Sequence, residues 1–134
     1  MNKFLLDPRL EAGAVFVADW PLSRLLLMDD SRYPWLVLVP RRAELSEIHD
    51  LGHAERMVLI EEIVRAAKGL KALTGAAKIN VGALGNVVPQ LHVHIVARNP
   101  GDAAWPGPVW GQGTAVSYEA AERDALLVRL RSQL

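Results

Sequence analysis

The stretch Gln90-Leu91-His92-Val93-His94-Ile95-Val96 decides the reading of this chain. Polar and apolar residues alternate, and successive side chains of a β-strand face opposite sides. The pattern predicts a strand over Leu91–Arg98, with Gln90, His92 and His94 on one face and Leu91, Val93 and Ile95 on the other. The apolar set faces a core, and the polar set lines a site. Imidazoles titrate near neutral pH, so they can attack, shuttle protons or bind metal. Half of the four histidines in the chain stand here. By the same parity Arg98 falls on the histidine face near the strand exit, within reach of a phosphate.

Alternate side chains on one strand are roughly 7 Å apart. An extended substrate group can touch both imidazoles, one attacking an electrophilic centre such as phosphorus and the other protonating the departing oxygen. Ordinary strand histidines are the plain alternative. Zinc ligation by His92 and His94 would need a third ligand, and Asp29 and His49 are distant in sequence.

The segment Asn80-Val81-Gly82-Ala83-Leu84-Gly85-Asn86 runs directly into this strand. Its glycines let backbone approach a ligand and present N–H groups to an anion, or they serve a plain hairpin loop. Asn80 and Asn86 add amide donors suited to phosphate or ribose oxygens. Asp29 and Asp30 follow an apolar strand. A carboxylate there can accept both hydroxyls of a ribose, or it starts a turn. Trp105 and Trp110 pack a long loop, line the mouth of a site or meet a second subunit. His49 and His53 stand four apart without an H-E-x-x-H pattern and read as surface residues.

The 134 residues fit a single domain, 1–134, with a hydrophobic core, and 51% are hydrophobic. Fifteen basic and fifteen acidic residues cancel, which argues against nucleic-acid polymers and membrane surfaces as partners. Cysteine is absent, which excludes disulfides and suits a reducing cytoplasm. Met1–Leu10 has neither a signal-peptide pattern nor a membrane span.

Along the chain, Ala14–Ala18 and Leu22–Met28 read as strands joined at Asp19-Trp20-Pro21, and Leu36–Val39 as a short buried strand. Residues 41–50 form a polar connection with one helical turn. Ala54 to about Thr74 is the longest helix, with Met57, Ile60, Val64 and Ala67 as its apolar stripe, widened by Ile63 and Leu70. Lys78–Val81 is a strand, Asn99–Gly113 is irregular, and Ser117 caps a C-terminal helix. Strands, helix, strands, helix is the order of an α+β fold, an antiparallel sheet of about five strands with the long helix on one face.

Gln90-Leu91-His92-Val93-His94-Ile95-Val96 resembles the signature of the histidine triad (HIT) superfamily, in which three histidines alternate with apolar residues. Leu36-Val37-Leu38-Val39-Pro40 is similar to the family's buried strand. Asn80-x-Gly82 and Gly85-Asn86 resemble its upstream loop, and Trp105-Pro106-Gly107 resembles a segment after the triad. The likeness covers about Ala14 to Trp110.

This resemblance implies a HIT-like fold that pairs as a homodimer. It also implies nucleotide chemistry at the α-phosphate of dinucleoside polyphosphates or nucleoside phosphoramidates. The implied nucleophile is His92, which forms a nucleotidyl-histidine. His94 contacts phosphate or the leaving group, and the Gln90 carbonyl holds His92 Nδ1–H. Gly85, Asn86 and Val87 meet phosphate, Asn80 belongs to the nucleotide pocket, and Asp29 takes the ribose. No cofactor is implied, and any Mg²⁺ arrives with the substrate. Three positions depart from the pattern: Gln90 replaces the first histidine, Val87 a hydroxyl residue, and Trp35 a histidine before the buried strand. A site altered in leaving-group preference follows from Gln90, as does a nucleotide-sensing module with little turnover.

Overall fold

Runs of Val, Leu and Ile make five strands, and a computed structural model describes them within residues 3–134. They are β1 (Ala14–Asp19), β2 (Ser23–Met28), β3 (Trp35–Pro40), β4 (Lys78–Gly82) and β5 (Val93–Arg98). They form one antiparallel sheet in the order β1-β2-β3-β5-β4. The central strands β3 and β5 are buried at every residue, because both faces of the sheet are covered. Residues 1 and 2, part of the Met1–Leu10 reading, lie outside the described residues. Among the described residues, no helix is long and apolar enough to cross a membrane.

Helix α2 (His53–Thr74) and the C-terminal helix α3 (Ala120–Gln133) cover one face. There Leu25, Leu27, Leu36, Leu38, Val93 and Ile95 meet Leu59, Ala66, Leu70 and Leu130. The other face carries Leu26, Trp35, Val37, Val39 and Val96, packed with Leu10, Tyr33 and Val109. Helix α1 (Pro8–Gly13) begins this second layer. Asp7 caps it by accepting from the Arg9 N–H at 2.8 Å, with Pro8 in the first turn where no N–H is needed. The α+β class, five antiparallel strands, long helix and C-terminal helix agree with the sequence reading.

Four details differ. The ladder of β5 starts at Val93, not Leu91, because the Leu91 N–H bonds to the Leu45 carbonyl instead of to a neighbouring strand. Alternation survives, since Leu91 still joins the helix-side core. The buried stripe of α2 is Leu59, Glu62, Ala66 and Leu70, with Ile63 and Ala67 packed beside it, while Met57, Ile60 and Val64 are exposed. This helix is apolar around much of its circumference, so spacing alone does not choose the inner face. Glu62 does, because its carboxylate accepts from the N–H groups of Leu22 and Ser23, both at 3.0 Å. The third difference is the cap of α3, which is Glu119, not Ser117, and makes no side-chain bond. Finally, α1 was no part of the sequence reading.

Candidate active site

His92 stands immediately before the β5 ladder. Its Nδ1 lies 2.6 Å from the main-chain oxygen of Gln90. A carbonyl only accepts, so Nδ1 carries a hydrogen, and in the neutral ring the lone pair is on Nε2. The residue is 5% exposed. It lines a cavity of about 340 Å³ together with Glu47, His49, Gly85, Asn86 and Gln90.

His94 lies opposite Val37 of β3 and Gly82 of β4 in the sheet. Trp35 Nε1–H donates to its Nδ1 at 2.9 Å. An indole nitrogen only donates, so the His94 hydrogen sits on Nε2. The two imidazoles, with ring centroids 4.9 Å apart, are thus held in opposite tautomers. Burial, and secondarily the neighbouring His92, push the His94 pKa down to about 4, against a backbone hydrogen bond at Leu84. The ring is uncharged at neutral pH. Its one hydrogen, on Nε2, is directed to the Leu84 backbone, so a ligand would take that donor over from Leu84, and the ring holds no second proton. Trp110 packs edge-on beside it, with centroids 5.4 Å apart. Gly82 makes the room, since a Cβ there would stand 2.9 Å from Trp110 Cη2.

Gly85 and Asn86 stay at the wall of the His92 cavity. The turn is tight, and a Cβ on Gly85 would meet the Val88 carbonyl at 3.0 Å. The Val87 side chain is exposed, while its carbonyl accepts from Arg9 Nη1 at 2.9 Å. The Gln90 amide is bonded to the N-terminal segment. Its Oε1 accepts from the Asp7 N–H at 2.8 Å, and its Nε2 donates to the Leu5 carbonyl at 2.9 Å.

Asp29 lies in a second cavity of about 530 Å³, beside Trp35, Leu84, Trp110 and Ser117. Its Oδ1 accepts from the Tyr118 N–H at 2.9 Å. Asp30 is buried and ion-paired to Arg32 at 2.8 Å, and that guanidinium keeps its carboxyl below the usual range against the opposing effect of burial.

The structure brings Arg98, Asn80 and Trp105 together, away from both cavities. Arg98 is on the histidine face but 1% exposed. Its guanidinium bonds both oxygens of Asp102 at 2.7 and 2.9 Å, Asn80 Oδ1 at 2.8 Å and the Gly107 carbonyl at 2.8 Å. The Trp105 ring lies against the same group, 5.8 Å from its centroid. These residues brace the loop after β5 against the sheet and line neither cavity. A buried cation needs its partners at hand, and these groups supply them. Sequence reasoning missed Asp7, Arg9 and Glu47, and it placed His49 on the surface without its part in the cavity wall. The bond from the Leu91 N–H to the Leu45 carbonyl brings that connection to the site.

Residues 9–101 match the HIT domain family. The chain belongs to that family. This HIT protein is 45% identical to a histidine triad protein of Bradyrhizobium japonicum, with a TM-score of 0.96 over 98% of each chain. It is 46% identical to one from Sinorhizobium meliloti, with a TM-score of 0.96 over 98% of this chain and 97% of that one. A third, from Marinobacter aquaeolei, is 39% identical, with a TM-score of 0.97 over 99% and 97%. No curated protein matches this HIT protein significantly.

Proposed function

We propose that this HIT protein binds a nucleotide and hydrolyses it at the α-phosphate, the substrate being a dinucleoside polyphosphate or a nucleoside phosphoramidate. The observation that carries this reading is His92 itself, with Nδ1 tied to the Gln90 carbonyl and its ring on a cavity shared with Gly85 and Asn86. In the first step His92 Nε2 bonds to phosphorus. The P–O or P–N bond to the leaving group breaks, and that group departs with the electron pair and is protonated by solvent. Water then attacks phosphorus, the P–N bond to His92 breaks, and a nucleoside monophosphate is released.

His94 Nε2–H and Asn86 stabilise charge on the phosphoryl oxygens, and backbone N–H groups near Val87 serve where the hydroxyl is lacking. Asp29 takes the ribose. The protein supplies no cofactor, and any Mg²⁺ comes with the substrate's phosphates. A panel of nucleotides with wild type and His92→Ala, products read by chromatography, tests the scheme. Turnover should fall about 10³-fold or more with binding kept. An unchanged rate refutes it.

One observation favours a second reading, a nucleotide-binding module with little turnover. Gln90 does not titrate and His94 is neutral, so neither offers an acid to a departing group. Calorimetric binding together with turnover on one sample separates the two. We also propose a homodimer. It would bury the exposed Met57, Ile60 and Val64 of α2 and pair the edge strand β4, where Val81 is exposed.

A further inference from the structure

Gln90 acts through two separate groups. Its main-chain carbonyl sets the His92 tautomer, while its side-chain amide holds the backbone of Leu5 and Asp7. We propose that this clasp makes Gln90 a positioning residue and the segment Leu5–Arg9 a working part of the site, because it fixes the carbonyl that keeps the His92 hydrogen on Nδ1. The kinetic part of this inference rests on the hydrolase reading above.

The need for a clasp follows from where Gln90 stands. The β5 ladder begins at Val93, so the peptide that carries the Gln90 carbonyl has no strand partner. Its other edge, the Leu91 N–H, donates to the Leu45 carbonyl and holds one side of that plane. The side-chain amide adds a second tie, on the Gln90 Cα side. Leu5 gives a C=O and Asp7 an N–H, two residues apart, which is how a strand offers itself to a single residue of a parallel neighbour. A primary amide presents one acceptor and one donor side by side and fits that pair. The two nitrogens of an imidazole point away from each other across the ring and do not.

A second tie reinforces the first. Arg9 Nη1 donates to the Val87 carbonyl at 2.9 Å, while Arg9 Nη2 holds the Asp7 carboxylate at 2.9 Å. Segment 5–9 is therefore fastened at both ends of residues 87–90, between the glycine loop and the nucleophile. Leu10, in the next turn, is buried on the histidine face and anchors the segment to the sheet. The residue type at position 90 thus answers to a neighbour far away in sequence as well as to the reacting groups.

The decisive experiment compares Asp7→Pro with Asp7→Ala. Asp7 has φ −56°, which proline adopts without strain. Both substitutions remove the carboxylate, but only proline removes the N–H that Gln90 accepts from, so equal behaviour of the two would mean that bond does nothing. Long-range proton–nitrogen NMR of the imidazoles reads the His92 tautomer, and steady-state kinetics separates kcat from KM. In Asp7→Pro the Nδ1–H form should give way to a mixture, with kcat about 10-fold below Asp7→Ala, on the scale of lost outer-shell partners, and KM unchanged. Gln90→His should show the same loss of tautomer and of kcat. Equal tautomer populations in the two Asp7 variants overturn the proposal, as does a Gln90→His protein faster than wild type. If wild type turns over no nucleotide, the hydrolase reading falls, while the tautomer comparison still decides the clasp.

Discussion

Trp35 Nε1 and His94 Nδ1 lie 2.9 Å apart inside the protein, and an indole that can only donate dictates where an imidazole keeps its hydrogen. The bond also stabilises the neutral ring, whose lone pair it uses.

His94 should therefore not titrate through the neutral range. Its folded pKa lies near 4, below the ordinary 6.5, so the unfolded chain binds a proton there that the folded one does not. Stability contributed by the neutral ring is complete above pH 6.5 and declines as pH falls from 6.5 toward 4. NMR titration should show flat His94 resonances from about pH 5.5 to 8. Trp35→Phe should raise the pKa and mix the tautomers. A His94 midpoint above 6 in wild type contradicts the assignment.

Removing the His94 donor should slow chemistry more than binding. His94→Ala is expected to lower kcat about 10²–10³-fold, the usual range for one preorganised donor, with a small change in KM. His94→Asn, which brings an N–H of its own, should recover part of the loss. Equal rates for the two variants would show that the donor is not the relevant property.

Asp102 should matter for stability in a pH-dependent way. Arg98 beside it holds its carboxyl near 2, against the ordinary 3.8. A depressed carboxylate stabilises above its unfolded pKa, and the contribution disappears as pH falls from about 4 through about 2. Asp102→Asn leaves the buried Arg98 without a counter-charge and should cost about 3 kcal/mol at pH 7. Urea unfolding across this range should show the wild-type advantage shrinking with acid. A constant gap would mean that the ion pair contributes little.

The proposed homodimer gives a hydrodynamic prediction. Sedimentation should report twice the chain mass for wild type. Val81→Glu combined with Met57→Glu should shift it to one chain mass with its folded circular dichroism kept. A wild-type monomer at all concentrations rejects the pairing.

The order of elements and the histidine strand were legible because strand alternation has a period of two and strong apolar runs. Leu91, Val93 and Ile95 went where alternation put them. The inner face of α2 was not legible, because a buried Glu62 that caps two distant N–H groups reads in sequence like any surface acid. Parity puts Arg98 on the histidine face but is silent about what holds it there. Parity says which way a side chain points, whereas Asp102, Asn80 and the Gly107 carbonyl, which capture it, depend on how a loop folds back. Gln90 could be seen as unusual, but its partners Leu5 and Asp7 stand more than eighty positions away and bond through backbone atoms, which carry no residue code.

The hollow around Asp29 has a late-made wall. Ser31 N–H bonds to the Val116 carbonyl, and the N–H groups of Val116 and Tyr118 reach the carboxylates of Asp30 and Asp29. During synthesis residues 116–118 are made after every strand of the sheet. A nascent chain stopped after β5 would carry both imidazoles yet lack one side of the chamber beside them.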